Sequence, residues 1–235
     1  MNKEKNTHYY TYTLNMTMLN ILALILFVIV STLVLFVERN ETYIMSMNPL
    51  AFFIVMFIWL VIHEILHGVG FALFKEVDKK NITFGAALEK GVFYCMCKQN
   101  ITKKVILTSL LFPLTIIGII TLIIGMIINN YELVFLSILN IVSSIGDIAM
   151  TIYFLKTPSD ITYLDLDDCT SFTVLSKTPL DNITAPGIIP KEKGLYDEKT
   201  MYSKDKRRLV ISKQSYILII IVFILLLISI IKRMI

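Results

Sequence analysis

The sequence predicts an all-α polytopic membrane protein: about five transmembrane helices, three of them forming a core around buried polar groups, with one small β-hairpin at the membrane surface. Three observations predict it. Hydrophobic residues make up 56% of the 235-residue chain and the mean hydropathy is +0.72, far more apolar surface than one soluble core of this length needs. Runs of about 20 residues with almost no charge, long enough to cross about 30 Å of hydrocarbon, recur along the chain. The ionisable residues inside those runs are few, and they are metal-binding types.

The spans read as Met18 to Val37, Pro49 to Phe74, Val105 to Asn129, Glu132 to Leu155 and Tyr216 to Ile231. The first follows a polar segment and lacks a small-x-small cleavage site, so it reads as a retained anchor. The chain then divides into a tail, anchor and loop over 1–48, a membrane core over 49–155 with a hairpin insert at 81–99, a cytoplasmic segment and linker over 156–214, and a C-terminal helix over 215–235. Basic residues set the orientation. Lys3 and Lys5 precede the first span, seven lysines lie from Lys75 to Lys104, and ten basic residues lie from Lys156 to Lys213. These three segments, including the N-terminus, are expected on the cytoplasmic side. Lys232 and Arg233, after the last span, run against that pattern.

Between the second and third spans, Ile82 to Leu88 and Val92 to Lys98 flank Glu89-Lys90-Gly91, a turn with glycine where positive φ is wanted. A second hairpin is read at Ile161 to Leu166 and Ser171 to Leu175. The stretch after it, with Pro186, Pro190 and the charged run Lys191 to Arg208, reads as linker. Cys95, Cys97 and Cys169 all fall in cytoplasmic segments, where thiols stay reduced, so no disulfide is expected. The net charge of +4 is spread through loops beside acids, which is not a nucleic-acid footprint.

An ionisable group at membrane depth costs several kcal/mol unless it is paired, solvated or bound to a metal. Apart from Glu132 at a span edge, the spans hold two acids, Glu64 and Asp147, and two histidines, His63 and His67. His63 and His67 stand four residues apart, one helical turn, so both imidazoles face the same way and can reach one ion. Zinc suits such a pair, with a third protein ligand and a water in the open position whose pKa falls to about 7. Glu64, beside the first histidine, is free to act as general base. Asp147 is the only other acid at depth. Counted back from the span ends, His67 and Asp147 stand at nearly the same level, so Asp147 is the candidate third ligand. Asn140 lies on roughly the same face and is expected to support that ligand or to bind substrate, and Gly146 to allow close helix approach.

On these residues the chain resembles the site-2 protease superfamily of intramembrane zinc metalloproteases, in particular small bacterial membrane domains described as zincin peptidases. The resemblance runs from about Ile62 to Leu175. It is carried by His63-Glu64-Ile65-Leu66-His67 with Gly68, the Phe84-Gly85 hairpin, Leu111-Phe112-Pro113, and Ile145-Gly146-Asp147. It implies zinc bound by His63, His67 and Asp147, Glu64 as the catalytic residue, and a peptide substrate in or beside the lipid bilayer. The family's element has a proline after its asparagine and a glycine after its aspartate; neither follows here. An intramembrane protease must hold its substrate extended, and an exposed strand edge does this by β-augmentation. Val92 and Tyr94 in the hairpin are therefore the expected substrate contacts, with Asn140.

Two other classes compete. A metal or proton transporter also places His and Asp in spans, but would spread polar residues through repeated helices. A regulatory or immunity protein of the same fold, without turnover, would not require Glu64. The Ile-, Asn- and Lys-rich composition suggests a low-GC bacterium, so the expected location is a bacterial cell membrane.

Overall fold

The computed structural model describes residues 7–37, 48–87, 92–166 and 169–196. Strand β1 (His8–Leu14) leads directly into α1 (Met16–Val37), and α2 spans Pro49–Ala72. A hairpin follows, β2 (Ile82–Ala87) and β3 (Val92–Cys97), then the short β4 (Ile101–Thr102). The next apolar helix is continuous but not uniform: α3 (Lys103–Pro113), a π-helical stretch (Leu114–Ile120) and α4 (Thr121–Ile127). Helices α5 (Tyr131–Ser143) and α6 (Ile145–Lys156) precede β5 (Thr162–Asp165), β6 (Ser171–Ser176) and β7 (Ile188–Leu195).

Asparagines start three of the helices. Asn15 accepts from the Met18 amide at 3.1 Å, Asn48 from Leu50 at 2.9 Å and Asn130 from Leu133 at 2.9 Å, each satisfying a donor the first turn leaves open. Three helices are long and apolar enough to cross a membrane: Met16–Phe36, Leu50–Ala72 and Lys103–Ile127. The pair α5 and α6 forms a fourth if it is counted as one span bent by 49°. Their outer faces keep large apolar side chains exposed, such as Leu24 at 65% and Ile127 at 73%, which is compatible with a lipid environment. The fifth expected span, from Tyr216, lies outside the described residues, as does the first hairpin's turn.

The chain is not all-α. Beside the helices stands a five-stranded antiparallel sheet in the order β4-β5-β6-β1-β7. The β5–β6 hairpin was visible in sequence. The central strand was not: β1, read as polar tail, pairs with β6 on one side (Tyr10↔Val174) and β7 on the other (Tyr10↔Lys193). Residues 188–195, read as linker, form the edge strand β7, with Pro190 opposite Tyr12 where the register shifts. Proline is tolerated there because an edge strand need not donate on its open side. The reason for the miss is that each strand is short and its partner lies far away in sequence, so no single window carries the sheet's pattern.

The main core lies where the sheet meets one end of the helices. Tyr12, Tyr163 and Phe172 from the strands pack with Phe71 of α2, Val105 of α3, and Tyr153 and Phe154 of α6. The Tyr12 and Tyr153 rings are 4.8 Å apart. This core joins α2, α3 and α6, three of the four helices that carry or support the polar cluster.

Candidate metal centre

His63 and His67 project from one face of α2 and are both 7% exposed. Each ring has its Nδ1 against an oxygen: His63 Nδ1 is 2.9 Å from Asn140 Oδ1, and His67 Nδ1 is 2.9 Å from the Ser109 carbonyl. A carbonyl only accepts, so His67 Nδ1 carries the proton. The Asn140 amide is oriented by its other end, where Nδ2 donates to the Pro113 carbonyl at 3.3 Å; Oδ1 therefore faces His63, and His63 Nδ1 also donates. Both Nε2 atoms are thus left as lone-pair donors. They face each other at 3.1 Å.

Asp147 completes the cluster from another direction. It sits in the first turn of α6, just past the bend after α5. There Ser144 Oγ and Ser143 Oγ both bond back to the Asn140 carbonyl, at 2.9 and 3.0 Å, a pattern that bends helices. Asp147 Oδ2 stands 3.3 Å from His63 Nε2 and 3.5 Å from His67 Nε2. Three donors each held about 2.0–2.1 Å from one tetrahedral ion would be separated by about 3.3 Å. The spacing and the donor set, two imidazole lone pairs and one carboxylate, fit zinc. Among the described residues these three are the group able to hold a metal.

Close helix approach makes this possible. A Cβ on Gly70 would come within 2.7 Å of the Ser109 Cα, so only glycine lets α2 and α3 meet here. Ser109 also donates its hydroxyl to the His67 carbonyl at 3.0 Å. Gly146, expected to serve a similar purpose, has nothing within 4 Å of where its Cβ would be.

The cluster opens into a cavity of about 580 Å³ lined by Glu64, Phe93, Tyr94, Met150 and Asp165 as well as the three donors. Among the described residues, no lysine or arginine lines it. Glu64 points to the same space, within hydrogen-bonding reach of the Cys95 backbone. Tyr94 is buried in the cavity wall. Val92 pairs with Ala87 at the turn end of β3. Asn140 is 3% exposed and stands behind His63, off the cavity.

Two residues were not foreseen. Ser109 acts through its backbone carbonyl, which no residue-type pattern reveals. Asp165, on β5, accepts from the Cys97 amide at 2.9 Å and from the Tyr163 hydroxyl, tying the hairpin to the sheet. Burial pushes its carboxyl up to about 6. Burial also raises the Cys97 thiol to about 11 and the Cys95 thiol further, so neither is a reactive thiolate.

No curated protein matches this chain, and no solved structure does. A family model described as "Putative zincin peptidase" matches residues 53–162, the stretch that holds His63, Glu64, His67 and Asp147, and thereby supports a zinc peptidase family for this part of the chain.

Proposed function

We propose that this protein is an intramembrane zinc peptidase of the site-2 protease type, cleaving transmembrane or membrane-proximal peptides. The observation that carries the reading is the three-donor cluster with spacings of 3.1, 3.3 and 3.5 Å, set among apolar helices with Glu64 beside it. Zinc held there by His63, His67 and Asp147 would bring a water's pKa to about 7 and polarise a substrate carbonyl. Glu64 takes a proton from the attacking water and returns it to the departing amine. Asn140 and the Ser109 carbonyl keep the imidazoles turned. The apolar wall excludes bulk water, and β3 offers an edge for an extended peptide. On that edge the Cys97 amide is occupied by Asp165 and the Cys95 backbone faces Glu64. A substrate strand would therefore pair from Phe93 toward the turn.

The sheet supports a multi-pass arrangement. It gathers strands that precede α1, follow α2 and follow α6, so these chain segments share one side, the side on which the lysine-rich loops place them. That side is the cytoplasmic one in this reading, and the membrane is a bacterial cell membrane.

The deciding experiment compares wild type and Glu64→Gln, purified in detergent, for zinc content and cleavage of transmembrane peptides. The expected result is equal zinc with cleavage reduced about 10²- to 10⁴-fold in the variant. Equal cleavage in both would remove Glu64 from the chemistry, and a zinc-free wild type would remove the metal reading.

A further inference from the structure

Both histidine partners lead to one residue outside the three-donor cluster, Pro113. In a helix each carbonyl normally receives the amide four residues on. For Ser109 that residue is Pro113, inside the third apolar helix, and proline has no N–H to give. The next amide, that of Leu114, bonds to the Leu111 carbonyl. The Ser109 carbonyl thus reaches the α2–α3 interface open, and His67 Nδ1 lies 2.9 Å from it.

Pro113 acts on His63 as well. It precedes the π-helical stretch Leu114–Ile120, a wider turn of the kind often found at functional sites. Its own carbonyl, 3.3 Å from Asn140 Nδ2, orients the amide whose oxygen meets His63. Gly118, in the π turn, leaves room for that amide: a Cβ there would sit 3.2 Å from Asn140 Nδ2.

We propose that Pro113 is a positioning residue of the metal centre: by withholding an amide from the Ser109 carbonyl and presenting its own carbonyl to Asn140, it holds both histidines with Nε2 turned to the ion. The inference rests on the zinc reading above but not on peptide hydrolysis. It also differs in sign from a purely structural role. Replacing a helix-interior proline with alanine restores a hydrogen bond and removes a clash with the carbonyl four residues back. Stability should hold or rise while metal binding falls.

The test uses the full chain in nanodiscs, as wild type, Pro113→Ala and Asn140→Ala. Zinc affinity is read by chelator competition, thermal stability by melting, and the imidazole tautomers by ¹⁵N spectra of histidine-labelled, metal-free protein. Pro113→Ala is expected to melt no lower than wild type, yet to bind zinc roughly 10- to 100-fold more weakly, the range typical of lost ligand supports. Its ¹⁵N spectrum should lose Nδ1–H character at His67 as the new amide competes for the Ser109 carbonyl. Unchanged zinc affinity with unchanged tautomers overturns the proposal. So does a variant whose melting temperature and zinc affinity fall together. A wild type that binds no zinc would instead sink the metal reading, and the tautomer comparison would then decide the proline's role alone.

Discussion

Helix α2 and the bent pair α5–α6 both bring side chains to the candidate metal centre, and they do so by different means. In α2 the helical period alone stacks His63 over His67, and nothing beyond a straight apolar helix is required. In α5–α6 the period is broken. Asp147 reaches the histidines because the chain turns by 49° after Ser143, where two serine hydroxyls bond back to one carbonyl. The contrast teaches that two of the candidate donors are local properties of the chain, whereas the third belongs to the packing. The supports follow the same division: the histidines' partners, Asn140 and Ser109, come from other helices.

Substitution can break that comparison or sharpen it. The largest effect is expected for His67→Ala, which removes a period-placed donor and should weaken zinc binding by about a thousandfold, since about 10–16 kcal/mol of zinc affinity shared among a few donors leaves about 4 kcal/mol to each. Asp147→Ala should cost nearly as much; a variant that still binds zinc normally would show that the bend has no part in the site. Phe172→Ala, in the sheet, should lower stability by about 3–5 kcal/mol, because the ring is 2% exposed among Tyr12, Tyr153 and Tyr163. If its melting transition falls while zinc affinity holds, the sheet and the helical site are separable layers. Ser144→Ala removes one hydroxyl bond at the bend and should cost about 1 kcal/mol, with zinc affinity reduced only a few-fold while Ser143 keeps the other bond.

A final test is a pH dependence. The folded chain holds the Asp165 proton up to about pH 6, whereas an unfolded carboxyl releases it near 3.9. Between those values the folded state binds more protons, so this group's contribution makes stability fall as pH rises from about 4 to about 6 and then level off. Asp165→Asn should flatten that slope in a series of melts across the range; a slope that persists would assign it to another group.

Much of the site was legible because its signals are local or scarce. His63-Glu64-Ile65-Leu66-His67 is a one-turn pattern, and Asp147 stood out as the remaining acid at depth. The first three apolar segments also translate into helices long and apolar enough to cross a membrane, and the fourth into two helices bent by 49°. The five-stranded sheet was illegible for the converse reason. Tyr9-Tyr10-Thr11-Tyr12-Thr13 has the aromatic and β-branched composition of a strand, but a strand is a half-satisfied structure, and nothing near it in sequence reveals that its partners are residues 171–176 and 188–195.

What the sequence by itself determined is the helical character of the first four apolar segments, the hairpin pairs and a two-histidine face with its adjacent glutamate, because each follows from periodicity or from the cost of charge in an apolar run. The tertiary structure alone decided the sheet, the turn that delivers Asp147, and the oxygens that set the imidazole tautomers. Those depend on contacts between residues dozens of positions apart, made possible by a missing Cβ at Gly70 and a missing amide at Pro113, and no local pattern encodes which distant group will meet them.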